Sequence, residues 1–148
     1  MPLQSVDDLG SPDQLLLLSC RRSMPGRAAG PCVELAWRLA CGDRLGARAN
    51  AAFVRMVALL HVRARRPLSF AQPHATGIAI DERSVLELVA ACQCGAAGLA
   101  LPLAAWLVKP PHEQALQAAA ASLGVAMLRA DLRLLDPVDL RADLTASA

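Results

Sequence analysis

Hydrophobic residues recur along most of this 148-residue chain at spacings of three and four, the period of a helix with one buried face. Ser11-Pro12-Asp13 reads as a helix start: an N-cap hydroxyl, a proline in the first turn and an acid at the positive dipole end. That helix runs through Leu15-Leu16-Leu17-Leu18 to Arg21-Arg22, with Pro25-Gly26 beyond its end. Gly30-Pro31 opens a second helix over 32–40, which Gly42 closes. Asp43 is the expected N-cap of a longer third helix reaching about residue 64. Its apolar face carries Leu45, Ala49, Phe53, Met56, Val57 and Leu60. At about 100° per residue, Arg44, Arg48, Arg55 and Arg66 fall within about 40° of one another on the other side.

Periodicity lapses between Pro67 and Ile80. Two short extended pieces, Leu68-Ser69-Phe70-Ala71 and Ile78-Ala79-Ile80, flank Pro73-His74-Ala75-Thr76-Gly77, a pattern that fits a small hairpin or an ordered loop. Asp81, with Glu82 behind it, caps a fourth helix ending near Cys94-Gly95. A fifth follows, with Pro102 in its first turn, and stops before Lys109-Pro110-Pro111. The last long element spans 111–135, with Leu116, Ala120, Leu123, Met127, Ala130 and Leu134 on one stripe that continues past Gly124. A second apolar set, Val125, Leu128, Leu132 and Leu135, gives this helix two faces to bury.

Composition agrees with the pattern. Thirty residues are Ala and 26 are Leu, there is no Tyr, and Ile occurs only at 78 and 80, so the β-branched and aromatic residues that strands prefer are scarce. The reading is all-α: a five- to six-helix single-domain bundle over 11–135 with one extended excursion near 67–80. Residues 1–10 are expected to be flexible, and 136–148 to form a turn and a loose tail. The uncharged run from Leu88 to Val108 is 21 residues long, enough to cross a bilayer. Gln93, Gly95, Gly98 and Pro102 within it favour two buried helices and a break, so a membrane partner is not expected.

Charge sharpens the picture. Ten Arg and two acids lie between Arg21 and Arg66, whereas residues 1–20 and 67–148 each carry −3. Such asymmetry suits an anionic partner. Arg44, Arg48, Arg55 and Arg66 are the candidate anion-binding residues, because guanidinium forks match phosphate and carboxylate oxygens. The second and third helices also have a helix–turn–helix outline, although only Asn50 offers a base-reading amide.

Leu16-Leu17-Leu18 leading to Arg21-Arg22, then Arg65-Arg66-Pro67-Leu68-Ser69-Phe70-Ala71-Gln72-Pro73, then Asp81-Glu82 before Leu86-Glu87-Leu88, form a recognisable text. It resembles a group of small uncharacterised bacterial helical proteins with an Arg-Arg helix, a central extended Pro segment and an Asp-Glu helix start. Members of that group carry several Cys after the central Pro, where this chain has His74-Ala75-Thr76-Gly77. The resemblance implies no activity.

The five cysteines, an odd number without a secretory pattern, suggest reduced thiols in a cytoplasm. Cys92-Gln93-Cys94 has no partner pair, and on a helix its thiols diverge by about 200°, so no metal site and no cofactor are expected. An enzyme or metal site joining His74 to a Cys is one alternative, and nucleic-acid binding through the Arg stripe is another. The leading expectation is a non-enzymatic cytoplasmic protein acting by association with itself or another protein. Trp106, Leu107, Val125, Leu128 and Leu132 are the interface candidates, because the second half offers more apolar face than a small bundle needs.

Overall fold

The computed structural model describes residues 5–25, 27 and 30–137. Among the described residues six α-helices follow one another: α1 (Ser11–Arg22), α2 (Gly30–Cys41), α3 (Asp43–Val62), α4 (Ile80–Gln93), α5 (Ala97–Leu107) and α6 (Glu113–Arg129). Among the described residues there is no strand, only isolated antiparallel bridges joining Ser5 to Gly77 and Ala64 to Val108. The chain is an all-α bundle, and the 67–80 excursion is an ordered loop.

The apolar face of α3 packs against α2 on one side and α6 on another, while α4 and α5 pack on each other and on α6. Gly42 alone separates α2 from α3 at a φ of 84°, a left-handed backbone that favours glycine. Trp37 and Phe53 meet across that hairpin with ring centroids 5.8 Å apart. One core runs from Leu16 and Leu17 through Met56, Leu86 and Leu88 to Leu116 and Leu123.

The observed elements differ from the expected ones in several places, among them the starts of α3 and α4, where Gly42 and Ala79, rather than Asp43 and Asp81, hold the N-cap and the two aspartates lie in the first turn. Residues 5–10 are built into the fold: a 3-10 turn over Val6–Asp8 follows Ser5, Leu9 is buried, and the Val6 N–H donates to the Thr76 carbonyl at 2.8 Å. Gly10, rather than Ser11, is the N-cap of α1. Helix α3 stops at Val62, because the next backbone turns to pair with the end of α5. There the Arg65 N–H donates to the Leu107 carbonyl (3.1 Å) and the Lys109 N–H to the Arg63 carbonyl (2.9 Å). Pro67 reinforces the exit by disfavouring a helical Arg66.

Pro102 lies in the middle of α5, not its first turn. Four residues back stands the exposed Gly98, whose carbonyl can receive no bond from the proline nitrogen and can face water. Finally, α6 ends at Arg129 and not at residue 135. Asp131 takes a φ of 62°, its N–H donates to the Leu128 carbonyl (3.0 Å), and the Leu132 N–H donates to that of Met127 (2.8 Å). This is a Schellman ending with aspartate in the left-handed position usually held by glycine. The expected tail beyond residue 137 lies outside the described residues.

The segment after α6 is strapped back onto the bundle. Gln93 on α4 donates to the Gly124 (3.2 Å) and Leu132 (2.8 Å) carbonyls and accepts from the Leu134 N–H (2.8 Å). The buried Asp13 carboxylate accepts from the Leu135 N–H at 3.3 Å to each oxygen. Burial outweighs these hydrogen bonds and pushes the Asp13 pKa up to about 6. Unfolded, the carboxyl titrates at roughly 3.9. The folded chain therefore binds the extra proton between those values, and this group makes stability fall as pH rises from about 4 to 6. Asp13→Asn keeps an acceptor for Leu135 but not the charge. Its stability is expected to match the parent near pH 4 and exceed it by on the order of 1–3 kcal/mol at pH 7.5. Urea unfolding of both chains across that range checks this; a pH-independent difference would point away from Asp13.

Candidate functional site

Two arrangements of polar side chains stand out. The first clamps the 67–79 loop. Arg21, fully buried near the end of α1, donates Nε to Glu82 Oε2 at 2.6 Å and Nη2 to Glu82 Oε1 at 3.0 Å. Its remaining donors reach the Ala75 (2.7 Å) and Gly77 (2.6 Å) carbonyls. Glu82 also accepts from the N–H groups of Ala71 (3.2 Å) and Ala79 (2.8 Å), the latter capping the start of α4.

Arg66 forms a second fork, with Nη1 and Nη2 at 3.1 and 2.8 Å from the Asp81 oxygens, and the Ser69 N–H donates to Asp81 at 2.6 Å. Burial alone would raise the Asp81 carboxyl, but the Arg66 guanidinium and the Ser69 amide outweigh it and hold the pKa below the usual range. Arg27 adds bonds to the Arg21 (2.6 Å), Ala71 (2.8 Å) and Phe70 (3.2 Å) carbonyls. Three arginines and two acids thus satisfy an irregular backbone that makes no strand ladder. The Arg-Arg helix, the central Pro segment and the Asp-Glu helix start are parts of one clamp.

The second arrangement is a groove between α3 and α6. One cavity of about 480 Å³ is lined by Arg48, Ala51 and Arg55 from α3 and by Ser122, Val125 and Arg129 from α6, among others. A second of about 480 Å³ continues it along Arg55, Ala58 and Leu59 against Ala115, Ala118 and Ser122. Rising numbers on α3 meet falling numbers on α6, so the two helices run antiparallel along the groove. The α3 positions 48, 51, 55 and 58 are spaced three, four, three, as are 115, 118, 122, 125 and 129 on α6 with one further step of four. Both helices therefore present a seam of near-heptad spacing to the same opening. Arg48, Arg55 and Arg129 are exposed, and among the described residues no acid lines either cavity and no ion pair involves these three.

No family model, curated protein or solved structure matches this chain.

The structure divides the candidate residues. Of the four-arginine stripe, Arg48 and Arg55 line the groove, Arg44 is exposed outside its lining, and Arg66 is removed from it by the end of α3. Arg66 instead pairs with Asp81 and lies 4.5 Å from the Trp106 ring centroid, a cation–π contact. Arg129 joins the anionic-ligand candidates, which the α6 periodicity alone did not reveal.

The five interface candidates do not form one face. Leu107 is a correction: it is fully buried in the core and unavailable to a partner. Val125, 45% exposed, lines the groove, whereas Trp106, 49% exposed, lies against Arg66. Leu128 and Leu132 are half-buried, Leu132 packing on the core.

His74 is exposed at the loop tip, and among the described residues no three His, Cys, Asp or Glu are grouped to hold a metal. Burial pushes the Cys20 thiol far up, raises Cys41, and takes Cys92 to about 11. A nucleophilic cysteine needs the opposite shift.

Proposed function

We propose that the protein acts by non-covalent association, as a small helical module that seats a helical segment of another protein between α3 and α6. The supporting observation is the continuous groove with its paired three-four seams. Ala51, Ala58, Ala115 and Ala118 on its floor are exposed, so each loses solvent contact only when something is laid over it. Small side chains there let a third backbone approach closely, in the manner of a helix laid in an apolar groove. The clamped loop serves this reading indirectly, by fixing the start of α4, on which α6 packs.

The test is a titration of isotope-labelled protein with an 18-residue amphipathic model helix carrying leucines at three-four spacing. Amide shifts are expected at Ala51, Ala58, Ala118, Ser122 and Val125. Ala51→Trp, which fills the exposed floor without touching the core, is expected to weaken binding by at least tenfold. Shifts centred on Trp106, or binding unaffected by Ala51→Trp, would overturn the groove as the binding surface.

A further inference from the structure

Resting on that reading, we infer that the groove's occupant is an acidic amphipathic helix rather than a second copy of this chain or a nucleic acid. Arg48 and Arg55 are seven residues apart on α3, so their side chains rise from one face about 10 Å apart. Arg129 enters the same cavity from α6, and the running order of the two helices puts it at the Arg48 end. Beyond Arg55 the far cavity is lined, among the described residues, by Ala58, Leu59, Ala115, Ala118, Ala119 and Ser122. The groove is thus cationic at one end and apolar at the other.

A complementary helix carries acids at i and i+7 along one edge, and small or medium apolar residues at three-four spacing beneath them. Carboxylates at those positions meet guanidinium forks that otherwise face solvent.

The alternatives fail on the same residues. A second copy docked symmetrically through this face would bring three arginines from each protomer together, with no acid from either lining. Single-strand and sequence-specific recognition use stacking platforms or base-edge readers, and among the described residues the lining contains no aromatic residue, Asn or Gln. Its alanine and valine floor offers a phosphate backbone nothing, but suits aliphatic side chains.

Three versions of the model helix, identical on the apolar face, carry Glu, Gln or Lys at the i and i+7 edge positions. Fluorescence anisotropy at 50 and 300 mM salt measures each against the full chain. The Glu helix is expected to bind at least tenfold more tightly than the Gln helix at low salt, with the gap narrowing at high salt. Arg48→Glu/Arg55→Glu is expected to reverse the preference towards the Lys helix. These arginines are exposed and make no ion pair among the described residues, so the swap leaves the core intact.

Equal binding of the Glu and Gln helices, abolished by Ala51→Trp, would overturn the acidic partner while leaving the groove reading standing. A Glu preference untouched by Ala51→Trp would overturn both. A single-stranded oligonucleotide that binds more tightly than the Glu helix, or a dimer in sedimentation that Arg48→Glu disrupts, would also overturn the inference.

Discussion

Arg21→Met is expected to cost about 3–5 kcal/mol of folding stability, the usual penalty for stranding one member of a buried ion pair. The substitution removes both bonds to Glu82 and both loop carbonyl bonds, to Ala75 and Gly77. Glu82 would keep the Ala71 and Ala79 amides but lose its counter-charge in a site where neither side chain reaches solvent. Domains of this size have a total stability of roughly 5–15 kcal/mol, so the loss brings the chain close to unfolding at 37 °C. Arg21→Lys keeps the charge and loses the planar fork, and should fall between the two.

The double variant Arg21→Met/Glu82→Leu separates charge from architecture. It removes the orphaned carboxylate, so it should be more stable than Arg21→Met alone, yet less stable than the parent because four loop backbone groups remain unpaired. Urea unfolding gives the energies, and amide exchange at 71–79 shows whether the loop loosens first. A single variant within 1 kcal/mol of the parent would contradict a load on this pair.

The clamp also shows where sequence reasoning stops. Arg21-Arg22 was legible as a helix end, where cations suit the dipole, and Asp81-Glu82 as a helix start, where acids do. Both pairs do lie in the end turns of their helices, although Ala79 and not Asp81 is the N-cap of α4. Neither could show that Arg21 and Glu82, 61 residues apart, meet in the core, because helical periodicity carries no information about which ends touch. Arg22 beside it is exposed, so the doublet itself does not say which arginine turns inward.

The same limit applies to the groove. Arg48 and Arg55 were legible as one face, but the alanines beside them are equally good core and surface residues in a helix. The seam on α6 emerges only once α3 is laid antiparallel against it. The end of α6 was illegible for a different reason: a Schellman stop normally announces itself with glycine, and here aspartate takes that role.

Gly46→Ala is expected to destabilise the fold by about 2–4 kcal/mol, although the same change in an isolated helix would stabilise it by roughly 1 kcal/mol. The sign is decided where α2 and α3 cross. A Cβ at Gly46 would stand 2.5 Å from the Arg38 Cα and 2.8 Å from both the Arg38 nitrogen and the Trp37 carbonyl oxygen. All three are backbone atoms, so no rotamer change relieves the contact and the helices must part. Parting them loosens Trp37, which is fully buried against Phe53. A fall in Tm of about 5–15 °C corresponds to that cost in a domain this size. Gly98→Ala is the matched control: that glycine is also helical, but a Cβ there meets nothing within 4 Å, so propensity alone should act and raise stability by roughly 0.5–1 kcal/mol. Opposite signs for the two glycines place the tight crossing at α2 and α3. A Gly46→Ala chain as stable as the Gly98→Ala chain would mean that these helices stand further apart than their Trp37–Phe53 contact requires.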